Sequence, residues 1–441
     1  MRSLCCTLWA ACVFATIAQA ETIPLHASLP PLVAQDSPPG GSHPIGGPAA
    51  HFVDLANQAL ASLEIQLELF VTADLPPSDR NKAKPSPVTI GTDFADLHRA
   101  VAAGSAGGGF DLAISLPNQT DNAVGELLVA GLPFGLGPED FAAWLFAGGG
   151  LALHREIYDR IYDDHVQVWP VGITGVQGGG WFPEALPNDP DPDTAMTALC
   201  QKPWIVRWPE PGAGIWRDAC AAVGIEAADI GPLTRCENPA GPCPAAGNPA
   251  REIAQLTFGG FVPGAPPMRS AIDNQIDAYE LNLPLADALL GRRALRLDDI
   301  PLAAADLSPL IQAAPYHYGA TWHQRVSYVE LLANKAWLDG LAPALQALLP
   351  VIAKAAVMDS LAHSQAGQGR AVQILERNGA IVEPWPDSLL VSLEAATDRY
   401  LDKRAAGLIA MGDNDYARLL DHMRAYQETH EAFVPFTQTT P

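Results

Sequence analysis

The chain has 441 residues, 48% of them apolar and 17% charged, with 49 acidic against 26 basic side chains. That length is two or more times a typical domain of roughly 100–200 residues, and the apolar fraction excludes general disorder, which needs low hydrophobicity and high charge density. A formal charge of −23 argues against nucleic acid and anionic lipid as partners, because both are bound through an excess of lysine and arginine. An anionic ligand would need locally placed cations working against the field of the whole protein.

Residues 1–20 read as a cleaved signal peptide. Arg2 supplies the positive start, Leu4 to Ile17 a mostly apolar run, and Ala18-Gln19-Ala20 an A-x-A cleavage site. The run is short for a membrane anchor, and Trp9 disfavours lipid attachment at Cys12. Later on, the most apolar stretch, Leu341 to Val357, is interrupted by Gln346, Pro350 and Lys354, so no membrane span is expected there. The reading is an exported, soluble, periplasmic protein. Export leaves four cysteines, Cys200, Cys220, Cys236 and Cys243, which allow three pairings in an oxidising compartment. Cys236 and Cys243 flank a short Pro/Gly-rich loop and make the favoured bridge, with Cys200 to Cys220 as the second. Zinc is disfavoured, since there is no C-x-x-C and no histidine at ligand spacing beside them.

Residues 21–49 are rich in proline and glycine and read as a flexible leader with at most one short strand. Phe52, Leu55, Ala56 and Leu60 then repeat at helical spacing, and Ile65, Leu67, Leu69 and Val71 alternate with polar residues as a half-buried strand does. A short helix is expected over 93–102, strands at 110–114 and 166–171, a capped helix over 191–199, a strand at 205–208 and a helix over 215–223 stopped by Gly224. Strands alternating with helices of this length predict an α/β fold with largely parallel sheets. Thr234 to Pro267 reads as an inserted loop. Leu341, Leu345, Leu348, Leu349 and Ile352 form one apolar stripe, and Ser388 to Tyr426 continues as a long amphipathic helix.

Catalytic signatures are missing. Gly104-Ser105-Ala106-Gly107 has Ala103 where a nucleophile elbow needs glycine, His430-Glu431 lacks the second histidine of H-E-x-x-H, and Gly212-Ala213-Gly214 is followed by Arg217 instead of a third glycine. The informative stretch is 132–182. It carries Leu132-Pro133-Phe134-Gly135-Leu136, Ala143-Trp144, Gly148-Gly149-Gly150-Leu151, Glu156 and Gly172-Ile173-Thr174-Gly175-Val176-Gln177-Gly178-Gly179-Gly180-Trp181-Phe182. With Ile205-Val206-Arg207, Gln275 to Glu280, Tyr316 to Trp322 and Leu331 to Trp337, this ordered set resembles the extracytoplasmic solute receptors of TRAP transporters (DctP type), in the branch that binds 2-oxo acids and related carboxylates. The likeness runs from about Phe52 to the long C-terminal helices.

The resemblance implies a two-lobed periplasmic-binding-protein architecture, a ligand cleft between the lobes and long C-terminal helices. It implies lobe I from residues 50–172 with about 278–322, lobe II from 173–277 with about 323–385, and a helical extension over 386–441. It further implies capture of a small organic acid and delivery to a membrane permease, no bond chemistry, and a homodimer through the C-terminal helices. Arg207 looks like the family's carboxylate-binding arginine, whose planar fork matches both carboxylate oxygens; by itself it reads equally as a structural ion pair. Gln177, Glu280 and the backbone carbonyl of Leu281 match positions where some receptors hold a sodium or calcium ion against the ligand, oxygen donors that hard cations prefer. The other reading has Gln177 and Glu280 bracing the cleft by hydrogen bonds, with no obligate cofactor. Trp322 and His323 belong to the expected pocket, or are a core aromatic beside a satisfied histidine.

Three departures limit the substrate. Leu281 replaces a tryptophan, Pro117 and Asn118 replace aromatic residues, and Trp322-His323-Gln324 stands where Trp-Trp-Glu is common, so the ligand is expected to differ from pyruvate. Two rivals stay open: an exported sensor module without transport, and an exported hydrolase or lyase on a two-lobed scaffold.

Overall fold

The computed structural model describes residues 21–27, 47–61, 65–71, 95–117, 123–202, 206–207, 211–225, 278–279, 311, 314–319 and 321–433. The signal peptide, the Cys236–Cys243 bridge and the insertion expected over 234–267 lie outside them.

Among the described residues, the strands form two five-stranded sheets. The first has the order β2-β1-β3-β9-β4, where β1 is Glu21–Ala27, β2 Ile65–Val71, β3 Leu112–Ser115, β4 Val166–Ile173 and β9 Tyr328–Asn334. The second has the order β10-β8-β5-β7-β6, with β5 Gly180–Phe182, β6 Val206–Arg207, β7 Ala278–Tyr279, β8 Tyr316–Tyr318 and β10 Ile381–Glu383. Both are mixed. β1 runs parallel to β2 and β3, while β9 lies antiparallel between β3 and β4. In the second sheet β5 is antiparallel to β7 and β8.

The helices clothe these sheets. They are α1 (Gly47–Leu60), α2 (Ala95–Ala103), α3 (Val124–Ala130), α4 (Pro138–Phe146), α5 (Gly150–Ile161), α6 (Pro192–Cys200), α7 (Gly212–Ala222), α8 (Lys335–Gly340), α9 (Pro343–Arg377), α10 (Asp387–Ala410) and α11 (Asp415–Glu431). Alternation along the central strand β9 feeds two cores. Val329, Leu331 and Ala333 join Phe52 and Ala56 of α1 and Leu345 to Ala356 of α9 on one face, whereas Tyr328 and Leu332 meet α2 to α5 and α11 on the other. A third core, with Phe182 and Tyr318, gathers α6, α7 and the start of α10 around the second sheet. By length and hydropathy α9 would reach across a bilayer, but Leu349, Ile352, Ala356 and Val357 are buried against the first sheet, as in the core helix of a folded domain.

Several expectations change here. The strands Ala278–Tyr279 and Tyr316–Tyr318 sit in the second sheet with β5, and Tyr328–Asn334 sits in the first, opposite to the expected allocation for these three strands, whereas Ile381–Glu383, also within 323–385, sits in the second sheet with β5 as allotted. The chain crosses back to the first sheet between Tyr318 and Tyr328, and the partner of β9 is decided by hydrogen bonding 155 or more residues away in sequence (Ile173 with Tyr328). The one short strand allowed for in the leader is Glu21–Ala27, and it has neighbours on both sides. The single amphipathic helix expected over 388–426 is two, broken at Gly412, whose φ of +89° is a left-handed stop that glycine alone adopts freely.

A charged cluster is sealed inside the first sheet's core. Glu330 of β9 is fully buried and contacts His98 Nε2 at 2.6 Å and His154 Nε2 at 3.4 Å, and it accepts from the Tyr158 hydroxyl at 3.1 Å. Burial pushes the Glu330 carboxyl above its usual range, opposed by its hydrogen bond to His98. It pushes His154 down to about 3, helped by the charges of His98 and Arg155. A histidine kept neutral in the fold binds fewer protons than in the unfolded chain, so its contribution is complete above pH ~6.5 and falls as the pH drops toward 3. Glu330 has the opposite sign: its contribution is complete below pH ~4.5 and is lost as the pH rises through its elevated value. Where the windows overlap, the two offset one another. His154→Phe keeps an aromatic ring against Tyr158 (centroids 4.2 Å apart) and removes one of the two. Its stability relative to the parent is expected to improve by about 1.4 kcal/mol per pH unit below 6.5, about 2 kcal/mol by pH 5. Urea unfolding at a series of pH values measures this, and a difference independent of pH would refute it.

Candidate ligand-binding site

Two short segments carry the chain between the sheets: 174–179, from β4 to β5, and 319–327, from β8 to β9. They lie side by side. The Thr174 N–H donates to Ser327 O at 2.9 Å, Ser327 N–H to Thr174 Oγ1 at 2.8 Å, Thr321 N–H to Gln177 O at 3.1 Å and Gly179 N–H to Tyr318 O at 2.8 Å. Helix α9 braces the same place, since Ser360 Oγ accepts from Ile173 N–H at 3.1 Å and Ser364 Oγ from Gly175 N–H at 2.7 Å.

Strand directions bring the remaining candidates to this junction. β5 starts there, so the antiparallel β7 ends there, and β6, parallel to β7, ends there too. Arg207 pairs with Tyr279, and Tyr279 with Trp181, which puts Arg207 level with the middle residue of β5, four residues after Gln177. Carboxyl ends of β6, β7, β8 and β10 from the second sheet thus face the junction, as do those of β1 to β4 from the first. Ligands of open α/β sheets bind outside such ends. Glu280 and Leu281 lie outside the described residues, directly after Tyr279 in the chain.

The described side chains at the junction are polar and sealed. Gln177 is 2% exposed; its Nε2 donates to Ser327 Oγ, which also accepts from Gln324 Nε2 at 2.9 Å. Its Oε1 has no hydrogen-bond partner among the described residues. A buried acceptor without a partner is costly, and a neutral amide oxygen suits either a ligand donor or a hard cation. It is one of the three expected ion ligands; among the described residues no group of three His, Cys, Asp or Glu side chains could hold a metal. Thr321 Oγ1 meets His323 Nδ1 at 2.8 Å, and the His323 ring lies against the first turn of α7, where a Cβ on Gly212 would come within 3.0 Å of it. Trp322 is buried among Phe134, His323 and Trp385, with centroids 5.8, 5.1 and 6.4 Å away.

Three residues in this assembly were not singled out in the sequence. Ser327 and Thr174 tie the crossovers together; Thr174 stands inside a quoted motif, but nothing local marks either hydroxyl for this role. Phe134, though inside a quoted motif, has a role visible only in three dimensions: at φ +56°, strained for a bulky residue, it stacks on Trp322 and donates its N–H to Trp322 O at 2.7 Å. Gly179, within the quoted run Gly178-Gly179-Gly180, is packed by Trp385, whose Nε1 occupies the space a Cβ would need. Gly179→Ala is expected to cost about 1–3 kcal/mol through this overpacking, measured by urea unfolding; an unchanged midpoint would refute the assignment.

No family model matches the chain. A monocarboxylate 2-oxoacid-binding periplasmic protein of Nostoc sp. is 42% identical over 60 residues, a match spanning 14% of this chain and 16% of that protein. Solved structures match over nearly the whole length. A TRAP transporter solute-binding protein of Bordetella bronchiseptica, described with copurified calcium and picolinate in a mixed-occupancy dimer, is 18% identical with a TM-score of 0.63, covering 95% of this chain and 94% of that one. A TRAP periplasmic solute-binding protein of Pseudoalteromonas atlantica with sodium and pyruvate is 19% identical with a TM-score of 0.61 over 94% and 96% of the two chains. One from Colwellia psychrerythraea with calcium and pyruvate is 18% identical with a TM-score of 0.62 over 94% and 97%. The two sheets, the paired crossovers and the bracing helix are those of a two-lobed binding protein: the chain has the fold of the TRAP transporter solute-binding proteins.

Proposed function

We propose that the protein is a periplasmic solute receptor of a TRAP transporter, one that captures a small organic acid at the crossover junction and hands it to a membrane permease. The observation that carries this reading is the convergence, at one edge where eight strands present their carboxyl ends, of the Arg207 strand with the buried Gln177 Oε1, which has no partner among the described residues. Arg207 binds the carboxylate as a planar cation. Gln177, with Glu280 and the Leu281 carbonyl, would hold a sodium or calcium ion, which would supply positive charge for the carboxylate; His323 and Trp322 shape the side of the pocket nearest α7. The reaction is capture, closure and release, with no covalent step. Support comes from the likeness to receptors described with calcium or sodium beside picolinate or pyruvate. Export by residues 1–20 and a dimer like that described for the Bordetella protein belong to the same reading.

Thermal shift and calorimetry against pyruvate, picolinate, pyroglutamate and larger hydroxy and dicarboxylic acids, with and without calcium, test it. At least one acid is expected to raise the melting point and to bind with a Kd of about micromolar or better, about 8 kcal/mol, and calcium is expected to tighten it. A panel with no binder, or turnover of a bound acid seen by NMR, would refute the proposal.

A further inference from the structure

Among the described residues one covalent cross-link occurs, Cys200 to Cys220. It answers one of the pairings left open by the sequence, and its position relative to the binding edge is informative. Cys200 is the last residue of α6 and Cys220 lies near the end of α7, so the ring that the bond closes contains β6, with Arg207, and the whole first half of α7. Among the described residues β6 is two residues long, the last strand of its sheet, and pairs on one side, with the equally short β7. The two helices that flank it are firmly seated by contrast. Met196 and Leu199 of α6 and Ile215 and Trp216 of α7 pack with Leu389 and Leu393 of α10, and the two cysteines are 5% and 0% exposed within that core. The first turn of α7 also touches the junction directly, through Gly212 against His323.

We propose that the Cys200–Cys220 bond is a positioning element of the ligand site. By clamping α6 to α7 it fixes where the Arg207 strand leaves the core and how closely Gly212 approaches His323, so affinity for the acid depends on it, and not stability alone. The inference rests on the reading of Arg207 as the carboxylate partner. Its physical basis is pre-organisation: a short edge strand held at both flanks samples fewer arrangements before binding, and the ordering it no longer needs appears as affinity. The loop-closure effect of the bond on the unfolded chain is separate; it moves the melting point and leaves Kd alone.

The test is the pair of substitutions Cys200→Ser and Cys220→Ser in the full exported chain, titrated by calorimetry with the tightest acid of the panel above, at a temperature well below the variant's melting point and with unchanged circular dichroism. Binding is expected to weaken by about tenfold or more. A lowered melting point with an unchanged Kd would overturn the proposal, leaving the bond as a stabiliser only. Cys200→Ala with Cys220→Val, which suits the apolar surroundings, serves in the same titration if the serine pair does not fold. Hydrogen exchange on the unaltered protein gives an arm that needs no variant: of the amides of Val206 and Arg207, the one that faces β7 is expected to be protected to a degree near that of Ile215–Ala219, and free-peptide exchange at both would overturn the anchoring. Absence of any binding by the parent protein, or full affinity in Arg207→Met, would instead overturn the reading of the site itself.

Discussion

Protein carrying Arg207→Met is expected to keep its fold and lose its acid ligand, with affinity down by at least about a hundredfold. A carboxylate held by a guanidinium fork takes two charge-assisted hydrogen bonds, each about 1.5–3 kcal/mol. Losing both removes about 3–6 kcal/mol, which is about a hundredfold to ten-thousandfold in Kd. Stability is expected to change little, because β6 is an edge strand whose pairing with Tyr279 is made by the backbone. Lysine at the same position restores the charge without the planar fork and is expected to recover only part of the binding. Calorimetry of the three proteins with one acid separates these outcomes, and full affinity in the methionine variant would remove Arg207 from the site.

The second large effect concerns stability. Glu330→Ala is expected to destabilise the protein by about 3–5 kcal/mol, as found when one partner of a buried charged cluster is deleted. The alanine leaves His98 Nε2 and the Tyr158 hydroxyl, both fully buried and both bonded to Glu330 in the parent, without their acceptor, and it opens a cavity in the middle of the first sheet. Glu330→Gln keeps the volume and one acceptor oxygen for Tyr158, and is expected to cost about 1–3 kcal/mol. Urea unfolding of both variants at pH 7 gives the comparison. Equal stability of the alanine variant and the parent would mean that the cluster contributes nothing net. Ligand affinity is expected to stay unchanged in both, since Glu330 lies within β9, past the crossover.

Where the chemistry of a segment is local, the sequence told the structure well. The spacing of Phe52, Ala56 and Leu60 predicted α1, the cap at Asp191 accepts from Thr194 N–H at 3.0 Å as a first-turn cap should, and Cys200 and Cys220 are bonded. The ordered motifs around Gln177 and Trp322 likewise led to the crossovers. What stayed hidden depends on partners far along the chain. Glu330 reads in sequence as an ordinary acidic residue in an apolar strand; its role comes from His98, 232 residues earlier. The sheet membership of Tyr316–Tyr318 and Tyr328–Asn334 is another such case, because a strand's own pattern carries no record of which edge it joins. The glycines at 148–150 resemble a loop motif, yet the space they leave is filled by Trp144 and by Tyr426 and His422 of α11, a contact across more than 270 residues.

The order of strands in the second sheet has a mechanical consequence. The two short crossovers join it at its inner strands β5 and β8, a third connection reaches its edge strand β10 through α9, and β6 lies two strands beyond β5, about 10 Å at ordinary strand spacing. Rotation of one half of the molecule about the paired segments would therefore leave Gln177 and Thr321 almost stationary while carrying Arg207 along an arc. An acid could dock first on groups that hardly move and be gripped afterwards by one that swings in, which gives the two ends of the pocket separate duties, one in admitting the guest and the other in latching the door.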